Sequence, residues 1–277
     1  TAGIEKTDKG LVAWWKFDEG TGTTAADSSG YGNNGTVYGA TWSGGALSFD
    51  GNDYVESPNA TTLNPDYITV EAWVYPTGGT DWRYVIAKGY YVQGTNNPER
   101  QYSIRLGAHY NPKTFQAYVS NGTTCQGVDS TSAVNFNQWY HVVMTYNGSE
   151  LAIYVNGVKE GSNTSVSGKI APQSYPFRVG TSKDLDTYYN WQGTIDDVRI
   201  YSYARSAEDI KTEYNTGRES DKTGPEIMII EPPLNQRGIA IIGKGIKQTI
   251  LGEARDESGV ASVKVNQQDT SLEPIEK

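Results

Sequence analysis

Cysteine and histidine are scarce: Cys125 stands alone among 277 residues, and His109 and His141 are the only imidazoles. An internal disulfide and a cysteine-built zinc site are thereby excluded, and a histidine-built one has too few ligands. Cations are short as well, with 23 Lys and Arg against 32 Asp and Glu and a formal net charge of −9. Phosphate backbones need clustered basic side chains, so this balance argues against nucleic acid as a partner. No run of about 18 apolar residues occurs, so no helical membrane span is expected. The chain opens Thr1-Ala2-Gly3 without Met or signal peptide, as a mature or excised product would. Enzyme motifs are missing too. There is no Gly-x-Ser-x-Gly, and Gly243-Lys244-Gly245 lacks the third glycine of a dinucleotide loop.

What is present favours sheet. Twenty Tyr, 7 Trp and 31 Gly accompany only 36% hydrophobic residues, the mix of aromatic strands cut by glycine turns. Leu11–Phe17, Ala46–Phe49, Asp53–Glu56, Ile68–Tyr75, Tyr84–Lys88, Tyr102–Leu106 and Phe115–Val119 read as short strands. Asn137-Gln138-Trp139-Tyr140-His141-Val142-Val143 and Leu151 to Val158 form a further pair around the turn Asn147-Gly148. Turn signals every 8–15 residues predict an antiparallel sandwich rather than a doubly wound sheet. One helix is expected at Ala207–Tyr214, capped by Ser206 with Asp209 as the capping-box partner and Gly217 beyond its end. His141 lies inside an alternating strand and reads as packed, not catalytic. Cys125 follows Asn121-Gly122-Thr123-Thr124 and reads as an incidental thiol in a turn.

Two sets of side chains carry chemistry. Carboxylates and amides gather in turns: Asp18-Glu19, Asp27 to Gly35, Asp50-Gly51-Asn52-Asp53 and Ile195-Asp196-Asp197. Calcium wants six to eight such hard oxygens, although Asp and Asn also close turns unaided. Aromatics in loops offer platforms for the C–H faces of sugars: Trp82 with Tyr84, Tyr90 with Tyr91, Tyr110 beside His109, Tyr175, and Tyr188 with Tyr189. The segment Tyr90–Pro112, around its strand, reads as the principal variable loop. Trp14, Trp15, Trp73 and Trp139 sit in strand patterns, and at least three of them read as core.

The strand pair at 137–158, then Gly193-Thr194-Ile195-Asp196-Asp197-Val198-Arg199-Ile200-Tyr201 and a short helix, resembles the laminin-G-like, concanavalin-A-like jelly-roll family, with pentraxins as distant members. The resemblance covers residues 10–217. It implies an all-β antiparallel jelly-roll sandwich with one short C-terminal helix, and an extracellular setting. Relatives carry a Phe-Asp-Gly turn, an Asp-Ser-Ser-Gly loop and an Ile-Asp-Asp-Val-Arg type strand, commonly tied by a structural calcium. Carried over to the matching positions, this nominates Asp50, Asp53, Asp27, Asn34, Asp18 and Asp197 as ligands. It also implies that Trp191 packs inward. The Glu-x-Asp-x-x-Glu spacing of sandwich glycanases and the Glu-Gln-Asp run of pentraxin ligand sites are both absent.

Residues 218–225 are charged, carry Gly and Pro, and read as a linker. Residues 226–277 then resemble the front half of a bacterial immunoglobulin-like module. With three or four strands this is about half of such a sandwich. Either the chain stops inside the module, or a strand from another chain completes it. The expected function is a non-catalytic extracellular recognition or adhesion module for a glycan or surface protein, with calcium as a staple. The alternative is a structural subunit of a fibre, sheath or surface layer, self-assembling through the unfinished module.

Overall fold

The computed structural model describes residues 9–79, 82–89, 100–107, 113–182, 189–217, 263–265 and 268–270. The chain divides into two compact units, Thr1–Asn215 and Thr216–Lys277. In chain order the first strands are β1 (Leu11–Trp15), β2 (Thr24–Ala25), β3 (Gly35–Tyr38), β4 (Thr41–Trp42), β5 (Leu47–Asp50), β6 (Tyr54–Ser57), β7 (Ile68–Pro76) and β8 (Tyr84–Gly89). There follow β9 (Arg100–Leu106), β10 (Phe115–Ser120), β11 (Cys125–Asp129), β12 (Tyr140–Tyr146), β13 (Leu151–Val155), β14 (Val158–Asn163), β15 (Phe177–Val179) and β16 (Gln192–Tyr201). Helix α1 is Ala207–Gly217.

Among the described residues these strands make two eight-stranded sheets. The first runs β14-β13-β12-β7-β16-β5-β4, with β1 also on β16; the second runs β11-β10-β9-β8-β15-β6-β3-β2. Every pairing is antiparallel, as expected of a jelly-roll sandwich. The core lies between the sheets, where alternate residues of facing strands meet. Trp15 of β1 stacks on Phe177 of β15 at 5.0 Å, and Phe115 of β10 meets Tyr140 of β12 edge-on at 5.5 Å. Aromatics supply the largest buried areas per side chain, so these cross-sheet pairs hold the layers together.

Several details depart from the sequence reading. Leu151 to Val158 is not one strand. Asn156 and Gly157 both adopt positive φ, 51° and 77°, and close a β13–β14 hairpin. That is the two-residue turn an Asn-Gly step favours, because it matches the twist of the flanking strands. Trp139 precedes β12 and is half-buried, as is Trp14, so Trp15 and Trp73 are the core members of that quartet. Trp191 packs inward as anticipated. Cys125 opens a strand instead of sitting in a turn, and Tyr84 starts β8 and is buried rather than exposed on a loop.

Helix α1 caps the outer side of the first sheet. Its capping box is formed: Asp209 N–H donates to Ser206 Oγ at 3.1 Å, and Ser206 Oγ donates to Asp209 Oδ2 at 2.7 Å. Tyr214 stacks on Trp73 and on His141 at 5.8 and 6.2 Å, which makes His141 a packed residue. Below the helix, fully buried Glu71 meets Arg199 at 3.2 Å and Arg205 at 2.9 Å, and both arginines also reach Glu213 of α1. Burial pushes the Glu71 carboxyl up; the two guanidinium groups oppose that shift.

In the second unit, β17 (Val263–Val265) pairs antiparallel with β18 (Gln268–Thr270). Residues 218–225, expected as a linker, lie outside the described residues, as does the remainder of 226–277.

Candidate functional site

The outward face of the second sheet is built by simple alternation. On β9 and β10, Tyr102, Ile104 and Leu106 with Phe115, Ala117 and Val119 enter the core. Their neighbours Ser103, Arg105, Gln116 and Tyr118 therefore point the other way. Register aligns them in two rows. Tyr84, Arg105 and Gln116 are cross-strand partners in one row, and Ala87, Ser103, Tyr118 and Gly127 in the next. A glycine opposite Tyr118 is needed, since a Cβ on Gly127 would stand 2.4 Å from the tyrosine ring.

Two arginines occupy this face. Arg105 Nε donates to Gln116 Oε1 at 2.9 Å and its Nη2 donates to the Tyr118 hydroxyl at 2.8 Å. Its guanidinium lies 4.6 Å from the Tyr118 ring centre, 5.6 Å from Trp82 and 5.8 Å from Tyr84. Arg100 Nη2 donates to the Tyr84 hydroxyl at 2.8 Å, and its guanidinium sits 4.2 Å over the Tyr118 ring. A register shift between Lys88 and Gly89 against β9 accompanies this. Such bulges re-aim side chains, and here Arg100 joins the face that holds Arg105. Beside them, burial pushes the Cys125 thiol up against the opposing pull of both arginines, so the thiol stays neutral at pH 7.

The aromatic rim comes from separate segments. Trp82, held at φ 53°, lies 6.4 Å from Tyr189, and Tyr189 lies 6.3 Å from Tyr84. Trp82, Tyr118 and Tyr189 are half-buried, whereas Tyr84, Arg100 and Arg105 are buried beneath them. The arrangement is an aromatic rim over a cationic floor. In that floor the Ser103 hydroxyl is fully buried and has no hydrogen-bond partner.

Of the six aromatics nominated from sequence, Trp82 and Tyr189 meet at this face. Tyr90, Tyr91, Tyr110 and Tyr188 lie outside the described residues, as does His109. Sequence reasoning missed Arg100, Ser103, Arg105, Gln116 and Tyr118. The available signal was the pair of arginines at the two ends of one strand, each on a position that alternation or a bulge turns away from the core.

The six residues nominated for calcium fall into separate turns. Asp27 is engaged by backbone: Oδ1 accepts from Trp14 and Ser29 N–H at 2.9 Å, and Oδ2 from Asn33 N–H at 2.8 Å. Asn34 Oδ1 accepts from Asp27 N–H at 2.8 Å. In the β5–β6 turn, Asp53 Oδ2 accepts from Asp50 N–H and Asp50 Oδ1 from Asn52 N–H, at 2.8 and 2.9 Å. Burial pushes the Asp53 carboxyl up against the opposing Asp50 N–H, and the Asp50 carboxylate adds to the rise. Asp197 Oδ1 accepts from Trp14 Nε1–H at 2.9 Å, and Asp18 is exposed. Among the described residues no three carboxylate, imidazole or thiol side chains converge as a metal cage.

Comparison with known proteins gives the following. A family model described as the concanavalin A-like lectin/glucanases superfamily, of laminin G type, matches residues 49–211. Domain 4 of AbnA, an extracellular GH43 arabinanase from Geobacillus stearothermophilus solved with arabinotriose, is 20% identical. The match has a TM-score of 0.54 and covers 73% of this chain and 97% of that one. The binding domain of Paraclostridial Mosquitocidal Protein 1 is 15% identical with a TM-score of 0.60, covering 76% of this chain and 53% of its own. Trypanosoma rangeli sialidase is 18% identical with a TM-score of 0.57, covering 76% of this chain and 33% of the sialidase. At these identities the likeness is one of fold. No curated protein sequence matches the chain.

Proposed function

Because the chain belongs to the concanavalin A-like lectin/glucanases superfamily, we propose that it is a non-catalytic glycan-recognition module acting outside the cell. The ligand would lie on the outward face of the second sheet, with sugar rings against Trp82, Tyr118 and Tyr189. The observation that carries this reading is the rim itself. Trp82 and Tyr189 come from segments over a hundred residues apart, yet their rings lie 6.4 Å from each other above Tyr84. Half-exposed aromatic rings gathered over buried hydrogen-bonding groups suit a ligand with apolar C–H faces and polar edges. The arabinotriose complex of the AbnA domain supports the class of ligand, as a property of that relative.

Calcium enters as a separate proposal of narrower scope. The Asp50–Asp53 turn would hold it, because two carboxylates already share that turn. Its contribution would be to stiffen the β5–β6 connection, with no part in bond-making.

The test is a glycan array with the purified chain, in calcium and again in EDTA, repeated with Trp82→Ala. Binding that Trp82→Ala weakens about tenfold or more supports the assigned face, given that aromatic stacking is worth roughly 1–3 kcal/mol per ring. Binding unmoved by Trp82→Ala places the ligand elsewhere. Loss in EDTA would make the metal part of the site, whereas indifference to EDTA removes calcium from the binding mechanism. A blank array in both buffers would turn the search to a protein partner.

A further inference from the structure

Arg105 is held on this face by aromatic rings and neutral acceptors. Elsewhere in the described sandwich, buried Arg178 pairs with Glu56 at 2.6 Å and the partly buried Arg199 and Arg205 pair with Glu71, while buried Arg83 donates to the Asn190 carbonyl at 2.7 Å. Arg105 has neither kind of acceptor. It is only 9% exposed, and its protein acceptors are the neutral Gln116 amide and Tyr118 hydroxyl. Among the described residues no carboxylate lies within ion-pair distance of it, and its Nη1 makes no hydrogen bond. Taking a guanidinium out of water without an opposite charge is costly, and the ring faces and neutral acceptors around Arg105 offset only part of that cost. The neutral Cys125 thiol supplies no counter-charge. The chain as a whole is acidic, so a buried cation with no carboxylate partner among the described residues is the more conspicuous.

A second observation points the same way. Ser103 sits two residues before Arg105 on the same strand, hence on the same face and about 7 Å along it. Its hydroxyl is fully buried without a partner. Ser103 Oγ is one of several such buried atoms among the described residues, and it is the hydroxyl that shares the outward face with Arg105, where a ligand oxygen would complete its bond.

Resting on the glycan-binding reading, we propose that this face selects an acidic sugar. The anionic substituent pairs with the Arg105 guanidinium, and Ser103 donates to an oxygen of the same group. The rings of Trp82, Tyr118 and Tyr189 hold the pyranose or furanose beside it. With Nε and Nη2 donating to Gln116 and Tyr118, Nη1 is left to donate to the anion, and a planar carboxylate suits that end of the guanidinium, which makes a uronic or sialic acid the favoured class. A sulfate ester offers the same charge and is the alternative source.

The experiment is titration calorimetry with matched oligosaccharide pairs. The pairs are oligogalacturonate against its methyl ester, sialylated against asialo glycan, and sulfated against desulfated glycan. At least one acidic member is expected to bind about ten- to a hundredfold more tightly than its neutral partner, the range for a charge-assisted hydrogen-bond pair. Arg105→Gln should bring that ratio close to one. Arg105→Lys, which keeps the charge but loses the fork, should fall between, and Ser103→Ala should cut the ratio severalfold. Near-UV circular dichroism and melting temperature check that each variant is folded. A carboxylated winner identifies the uronate or sialate source, and a sulfated winner identifies the ester; both support the proposal. Equal binding within every pair, unmoved by Arg105→Gln, overturns the acidic-ligand inference and leaves glycan recognition standing. Binding to none of the saccharides overturns both.

Discussion

The indole N–H of Trp14 donates to Asp197 Oδ1 at 2.9 Å, joining two residues 183 positions apart. Asp197 sits at φ 48° in the irregular stretch of β16, where the register with β7 shifts between Asp196 and Arg199. Removing the acceptor strands a part-buried donor and places alanine in a left-handed conformation it resists. Asp197→Ala is expected to lose about 1–3 kcal/mol. Asp197→Asn should lose less, because asparagine keeps the oxygen and tolerates positive φ. Urea unfolding measures both. Coincident midpoints for wild type and Asp197→Ala would show that the bond contributes nothing.

Glu71 is the hub beneath helix α1. With the carboxylate gone, the ion pairs left to Arg199 and Arg205 among the described residues are those with Glu213 and Asp197 at the edge of the cluster, beside their Trp14 and Tyr201 ring contacts. Breaking a buried pair on one side typically costs about 3–5 kcal/mol, and Glu71→Ala should fall in that range. Hydrogen exchange should locate the loss, with α1 amides opening faster than those of β9 and β10. Uniform acceleration across both sheets would contradict a local role.

Lys88 supplies the pH dependence. Its side chain is fully buried, and burial lowers its pKa to about 8. Asn59 Oδ1 and the carbonyls of Gln173 and Tyr175 accept from Nζ at 2.7, 3.0 and 2.6 Å. The folded chain sheds this proton near pH 8, while the unfolded chain holds it to about 10.4. Between those values the unfolded state binds more protons, so stability from this group rises with pH. Thermal melts at pH 7 and pH 9 should show a larger gain for wild type than for Lys88→Met. Equal gains would mean that the three oxygens restore the ordinary lysine pKa.

Gly193 lets β16 pass beside the end of β7. Its φ is 129°, and a Cβ there would stand 2.1 Å from the Tyr75 carbonyl oxygen and 2.9 Å from Thr77 N. Neither obstacle is a flexible side chain. Gly193→Ala is therefore expected to exceed about 4 kcal/mol, in the rare severe class, and to show as lost soluble yield or a collapsed melting temperature. Wild-type melting would mean that β16 takes another course.

Local features were the most legible. The strand read as Ile68–Tyr75, which runs one residue further to Pro76, the turn at Asn147-Gly148 and the capping box of Ser206 and Asp209 each follow from contiguous residues. The Asn147 side chain closes its turn by accepting from Ser149 and Glu150 N–H, the ordinary behaviour of Asn there. The Asn156-Gly157 hairpin went unread because strong β-formers flank it on both sides. Short strands such as Thr24–Ala25, Thr41–Trp42 and Phe177–Val179 carry too few residues for periodicity to register. The carboxylates and amides nominated for calcium also build turns. Asp27 shows why that signal is ambiguous: the same oxygens that would bind a cation accept three backbone N–H groups.

The amino-acid sequence by itself determined the class of the fold, because alternation, glycine and asparagine turns and aromatic content act between neighbours in the chain. It also singled out Trp82 and Tyr189 as aromatic candidates. Only the tertiary structure decided that they meet, and that Arg100 and Arg105 lie beneath them. An arginine in a strand reads as a solvated outward residue until the register of β8, β9 and β10 fixes its neighbours. Whether its charge is answered by a carboxylate depends on which strands pair. Pairing is set by the burial of the opposite face, a sum over the whole core that no short stretch of sequence contains.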